Sequence, residues 1–166
     1  MRPYGLVIFD FDGTLADSFP WFCGILAEVA ARYRFRQVGE DEIESLRSMG
    51  ASAIVRHLGI PAWKLPLITC HMKALAARDI AGIRLFPDIA PMLGELMRSG
   101  VPLAIVSSNA EANIRRVLGP DLADGIGHYA CGASLFGKAR RLKVVIRAAG
   151  LAGAAALYVE IGRAHV

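Results

Sequence analysis

The 166-residue chain is 54% hydrophobic and 20% charged, with a formal net charge of +4. That balance excludes a disordered chain, and no apolar run reaches the roughly 18 residues of a membrane span. The length suits one core plus a small insert. Cys23, Cys70 and Cys131 are odd in number and widely spaced. They match neither a zinc site nor a disulfide framework, so buried or half-buried thiols in a reducing compartment are expected. The basic residues are scattered apart from Lys138-Ala139-Arg140-Arg141-Leu142-Lys143. That cluster falls on a predicted helix, where a solvated face is the usual reading. No nucleic-acid motif is present, and a mildly positive site would attract phosphorylated substrates.

In chain order, Leu6 to Phe9 is an apolar run of the length of a strand buried on both faces. It ends in Asp10-Phe11-Asp12-Gly13-Thr14. Open α/β sheets place their ligands beyond such strand ends. Residues i and i+2 share a side, so Asp10 and Asp12 can converge. Two close carboxylates need a cation or a shared proton. Mg2+ suits them because it takes oxygen ligands and keeps waters and phosphates. The strand's start near Met1 argues against a signal peptide, and a cytoplasmic location is expected.

The pattern then turns helical. Asp17 or Ser18 is placed to cap a helix with Pro20 in its first turn. Phe22, Ile25, Leu26, Val29, Ala30 and Tyr33 follow one face. Further helices are predicted over 41–49, over 52–58 (closed by Gly59 and stopped by Pro61) and over 65–80. Trp21, Trp63, Phe19 and Phe22 are read as packing residues, and the four histidines as structural or surface. Arg47 to Ala51 reads as a flexible polar break. After Leu85-Phe86-Pro87 comes a helix from Ile89 to Gly100, then a strand over 101–106, a helix over 110–118, a strand over 128–131, a helix over 138–149 and a strand over 154–159. Strands alternating with helices imply a doubly wound parallel sheet.

Asp10-Phe11-Asp12-Gly13-Thr14 resembles the first motif of the haloacid dehalogenase-like hydrolases in their phosphatase form. The resemblance implies that Asp10 is the nucleophile and Asp12 the general acid/base, with both binding Mg2+. Val106-Ser107-Ser108-Asn109 is similar to the second motif. It implies that Ser107 bonds the phosphoryl group and that Asn109 assists, although Ser108 or Asn109 capping the next helix is the ordinary alternative. Phe136-Gly137-Lys138 matches the third motif, with Lys138 as the charge-neutralising cation. Gly13, Thr14, Ser107, Ser108, Asn109 and Lys138 are thus the expected phosphate-binding set. The family also places a helical cap between its first two motifs. The resemblance therefore implies a Rossmann-like core of residues 1–15 and 85–166 and an all-helical cap of residues 16–84. Cap loops select substrates in relatives, so Arg47 is a candidate for a second anionic group, against the plainer reading of a solvated arginine.

The resemblance points to a Mg2+-dependent, phosphoglycolate phosphatase-like enzyme acting on a small phosphorylated metabolite through an aspartyl-phosphate. A phosphosugar mutase on the same scaffold and a catalytically inactive binding module are the rivals. The fourth motif, Gly-Asp with a further acid, is missing after Val159. Ile161 to Val166 reads like the translation of a common sequencing adapter, with Glu160 as a hybrid codon; a diverged natural tail is the alternative. Glu160 stands one position from the expected acid, which would turn it to the opposite face. On this reading the 166-residue chain is expected to be inactive and aggregation-prone.

Overall fold

A computed structural model of the protein describes residues 4–132, 138–151 and 155–160. The chain divides into two compact units, with breaks between Asp17 and Ser18 and between Gly82 and Ile83. Each break lies two residues inside the boundary expected from the sequence.

The first unit is built on four parallel strands: β1 (Leu6–Phe9), β2 (Leu103–Val106), β3 (His128–Ala130) and β4 (Ala156–Val159), in the order β3-β2-β1-β4. From β1 the chain builds outward through β2 and β3, then returns to the other side of β1. The order therefore reverses at β1, and the crevice beyond such a reversal is where α/β sheets bind ligands. All residues of β1 and β2 are buried, as expected for strands covered on both faces. Leu6 and Ile8 pack with Ala104, Val106 and Val145. Val145 lies on α8 (Lys138–Ala148), so this helix covers the side of β1 that carries the even-numbered residues. The expected start of β4 at Ala154 lies outside the described residues.

Among the described residues, three further helices belong to this unit: α5 (Ile89–Arg98), α6 (Glu111–Leu118) and α7 (Pro120–Gly125). No helix is expected from the sequence at α7. Its Pro-Asp-Leu-Ala-Asp-Gly sequence combines turn residues with too few apolar positions to show a helical period.

The second unit contains α1 (Phe19–Tyr33), α2 (Glu40–Ser48), α3 (Ala51–His57) and α4 (Leu65–Asp79), with 3-10 turns over Ala62–Lys64 and Ile80–Gly82. α1 presents two apolar stripes. Ile25 and Val29 pack with Ile68 and Leu75 of α4, flanked by Trp21. Leu26 packs with Leu46 and Leu58, flanked by Phe19 and Phe22. Trp63 corrects the packing expectation, because it is 71% exposed. Ser18 occupies the N-cap of α1, but its side chain makes no capping bond. Arg47 and Ser48 belong to α2, so the expected five-residue break shrinks to Met49 and Gly50. Cys70 is exposed, unlike the half-buried Cys23 and Cys131.

Candidate active site

The carboxyl ends of β1, β2 and β4 gather the polar residues. β1 is apolar through Phe9, and Asp10 follows as the first polar side chain. It lies on the parity of Leu6 and Ile8, the side covered by α8. Lys138 opens α8, and its Nζ lies 2.7 Å from Asp10 Oδ2. Asp10 Oδ1 accepts the backbone N–H of Phe11 at 2.8 Å. The strand register brings in a third charged group. Phe9 pairs with Val159, and Asp10 N donates to Val159 O at 3.0 Å. Asp10 and Glu160 therefore stand at the same level of neighbouring strands. Glu160 Oε1 accepts from Lys138 Nζ at 2.7 Å. This overturns the expectation that Glu160 faces away: register with β1, not spacing from a motif, decides where it sits.

Lys138 thus lies between two carboxylates, and its Nζ is also 5.7 Å from the centre of the Tyr158 ring. Burial works against the ammonium. The hydrogen bonds to Asp10 and Glu160, with the Tyr158 hydroxyl close by, outweigh it and hold the Lys138 pKa above its ordinary value. The balance is reversed at Asp10, whose side chain is only 14% exposed. There burial outweighs the attraction of Lys138 and raises the carboxyl pKa. Burial pushes the Tyr158 hydroxyl up to about 12, against the pull of the neighbouring Lys138 ammonium.

Asp12 is met from the end of β2. The Nδ2 of Asn109 lies 3.3 Å from both Asp12 oxygens. Ser107 and Asn109, beyond the end of β2, are both buried. The Ser107 Oγ accepts the Asn109 N–H at 3.0 Å, and the Asn109 carbonyl accepts from Gly132 N at 2.7 Å. The Asn109 Oδ1 accepts from Ala110 N at 2.9 Å and from Asn113 Nδ2 at 3.0 Å. Asn109 does not cap α6. Ala110 occupies the cap, so the ordinary alternative is not what folds here. Ser108 is half-buried beside this network.

Gly13 and Thr14 form the turn that follows. Gly13 adopts φ +75°, a region that costs other residues strain. Its N–H donates to Ala16 O at 2.9 Å, and Thr14 N donates to Phe11 O at 3.2 Å. Both amides are therefore engaged in the turn rather than held open for an anion.

The structure thus brings together Asp10 with Lys138 and Asp12 with Ser107 and Asn109. It places Arg47 in the helical unit, 4.7 Å above the Phe19 ring and 3.3 Å from Glu44. Phe136 and Gly137 lie outside the described residues. Sequence reasoning missed Asn113 and the inward reach of Glu160. Asn113 is a buried amide four residues after Asn109, a spacing that puts two polar groups within reach at a helix start. Among the described residues, no three His, Cys, Asp or Glu side chains cluster as a metal cage.

The chain is similar to several known proteins. The chain is 29% identical to phosphoglycolate phosphatase of Synechococcus elongatus over 154 residues, 92% of this chain and 73% of that protein. A Lactobacillus plantarum structure described as of phosphoglycolate phosphatase type superposes with a TM-score of 0.80 at 21% identity, covering 96% of this chain and 78% of that one. CbbY from Rhodobacter sphaeroides, solved in complex with phosphate, gives a TM-score of 0.70 at 21% identity over 93% of this chain and 76% of its own. No helix among the described residues is long and apolar enough to cross a membrane. The sequence profile of the haloacid dehalogenase-like hydrolases matches residues 7–160, and the chain belongs to that family.

Proposed function

We propose that the protein is a phosphomonoester hydrolase acting on a small phosphorylated metabolite, with the phosphoglycolate phosphatases as its guide. The observation that carries this reading is the division of labour between two neighbouring acids. Asp10 lies 2.7 Å from a fixed ammonium, while Asp12 is held by a neutral amide. A carboxylate beside a cation suits covalent attack on a phosphoryl group, because the cation offsets the charge that nucleophile and phosphoryl oxygens bring together. A second acid whose two oxygens face a neutral amide donor suits proton transfer.

An Asp10 oxygen forms a bond to phosphorus as the bond to the leaving oxygen breaks, and Asp12 gives that oxygen its proton. Asp12, now ionised, takes a proton from water as the water oxygen attacks the phosphorus. Asp10 is released with inorganic phosphate, and the proton remains on Asp12. Lys138 and Ser107 hold the phosphoryl oxygens throughout. The helical unit is read as the cap that selects the substrate.

Mg2+ fits the oxygen donors at this strand end, since it is commonly held by one or two carboxylates with substrate phosphates and water: the Asp10 carboxylate would hold it directly, and Asp12 would contribute through an oxygen other than the one that carries its proton. When bound, it supplies further neutralisation of phosphoryl charge.

The test is to incubate the protein with radiolabelled phosphomonoester at saturating Mg2+ and to analyse both protein and products. Label should pass through an acid-stable, hydroxylamine-sensitive bond on Asp10 and leave as free phosphate. Asp10→Asn should carry no label while keeping its circular dichroism. Labelling that survives in Asp10→Asn sinks the reading, and an isomerised phosphosugar in place of free phosphate identifies a mutase.

A further inference from the structure

The Asn109 side chain is an amide whose two ends do different things. Its Nδ2 faces both oxygens of Asp12 at 3.3 Å, and its Oδ1 faces two donors, Ala110 N at 2.9 Å and Asn113 Nδ2 at 3.0 Å. The backbone N–H of Ala110 can only donate, so the atom against it must be the oxygen. Rotating the amide by half a turn would press a carbonyl against the Asp12 carboxylate and an NH2 group against two N–H groups. Orientation of this amide is therefore equivalent to delivery of a donor to Asp12.

Ala110 supplies one of the two locks and Asn113 the other. Asn113 is the third residue of α6, on the face that buries Ile114 and Leu118. Side chains in a helix tilt toward its N-terminus, so an amide here reaches back to the residue preceding the helix. Asn113 is only 8% exposed, and a buried amide lowers stability unless its bonds are made. An apolar residue would fill this inner face at less cost, so the amide is better explained by what it bonds than by packing.

We infer that Asn113 is a positioning residue: by fixing the amide of Asn109 it orients the acid of Asp12 for proton transfer. This inference rests on the proposed role of Asp12 in phosphomonoester hydrolysis. Asn113 touches no reacting atom, so its effect should follow the demand for protonation and not turnover in general.

The experiment compares kcat/KM for p-nitrophenyl phosphate, whose leaving group needs little protonation, with that for an alkyl phosphate, whose leaving group needs much. The ratio is taken within one sample, so it is independent of how much of a variant folds. Asp12→Ala should raise the ratio of aryl to alkyl turnover. Asn113→Leu, similar in size but without a donor, should raise it about 2–10-fold, the factor a neutral hydrogen bond is worth. Asn113→Asp should raise it further, because its carboxylate opposes the Asn109 oxygen and competes for the Asn109 NH2 group. Equal losses on both substrates in the Asn113 variants would make Asn113 merely structural and overturn the inference. An unchanged ratio in Asp12→Ala would instead remove Asp12 from the proposed mechanism. A readout without turnover is the NMR signal of the Asn109 side-chain amide. Asp12→Asn should shift it in the otherwise wild-type protein but leave it unmoved in Asn113→Leu, and an equal response in both backgrounds also overturns the inference.

Discussion

In the α/β unit polar side chains go inside, whereas in the helical unit they stay at the edge. Thr14, Ser107, Asn109 and Asn113 are buried in the first, and Ser18 alone is their counterpart among the described residues of the second. The helical unit keeps its charge in exposed or half-exposed pairs such as Arg36 with Glu42, Arg47 with Glu44 and Arg78 with Asp79. Such pairs contribute roughly 0–1 kcal/mol each, so apolar packing carries the stability of this unit. The buried polar groups of the α/β unit must each be satisfied. Their concentration at the ends of β1 and β2 marks that place as built for something other than stability.

The largest effects should therefore follow from the polar residues of the α/β unit. Asp12→Ala is expected to lower turnover of alkyl phosphates by about 10²–10⁴-fold, the range of general acid/base help. Steady-state kinetics checks this, and a loss under tenfold would refute the division between the two acids. Lys138→Met keeps the length of the stem and removes the charge. It is expected to cost about 10²–10³-fold, as for other fixed groups that stabilise developing charge. The variant also leaves Asp10 and Glu160 facing each other without a cation, so tighter Mg2+ binding should accompany the slower rate. Isothermal titration with Mg2+ reads this, and unchanged affinity would show that Lys138 does not hold the two carboxylates together.

Core substitutions sharpen the contrast at a smaller scale. Ile105→Ala in β2 and Leu46→Ala in α2 each remove a side chain that is at most 1% exposed, and each is expected to lower stability by about 2–5 kcal/mol. Their consequences should differ. Ile105 is paired with Phe9, so loosening it disturbs the strand end that carries Asp10. Leu46 packs with Leu26 and Leu58. Its loss should spare hydrolysis of p-nitrophenyl phosphate and blunt selection among larger phosphomonoesters. Denaturant titration and a substrate panel test the pair; equal loss of p-nitrophenyl phosphate turnover would erase the proposed distinction.

What the sequence could show follows the same division. β1 and its acids were legible because a buried strand is a continuous apolar run, and two aspartates against it break that run sharply. The helices of the second unit were legible from their apolar stripes. Asn113 was not, because one amide in a helix carries no period. Glu160 was misjudged because its direction depends on pairing across to β1, which sequence spacing does not contain. Trp63 reads as packed because aromatic residues usually are, yet its place within the short 3-10 turn Ala62–Lys64 leaves it in solvent.

The smallest expected effect is a difference in the pH at which each unit weakens. In the α/β unit burial pushes Tyr129 and Tyr158 up to about 12 and Cys131 up to about 11. These acids are harder to ionise folded than unfolded, so their contribution is complete below the unfolded values and is lost as pH rises from about 9 to 12. In the helical unit Asp79 is held down to about 2, first by the Arg78 guanidinium and then by the Trp21 indole N–H at 3.1 Å. A depressed carboxylate works in the opposite sense. Its contribution is present above the unfolded value of about 4 and is lost as pH falls toward 2. Both tryptophans, Trp21 and Trp63, lie in the helical unit, so tryptophan emission follows that unit alone. On acidification, emission should change before strand protection measured by hydrogen exchange; in alkali the order should reverse. Asp79→Asn removes the titrating group and should flatten the acid transition in emission while leaving the alkaline loss of strand protection in place. An acid transition that survives unchanged in Asp79→Asn would show that Asp79 is not what makes the helical unit acid-sensitive.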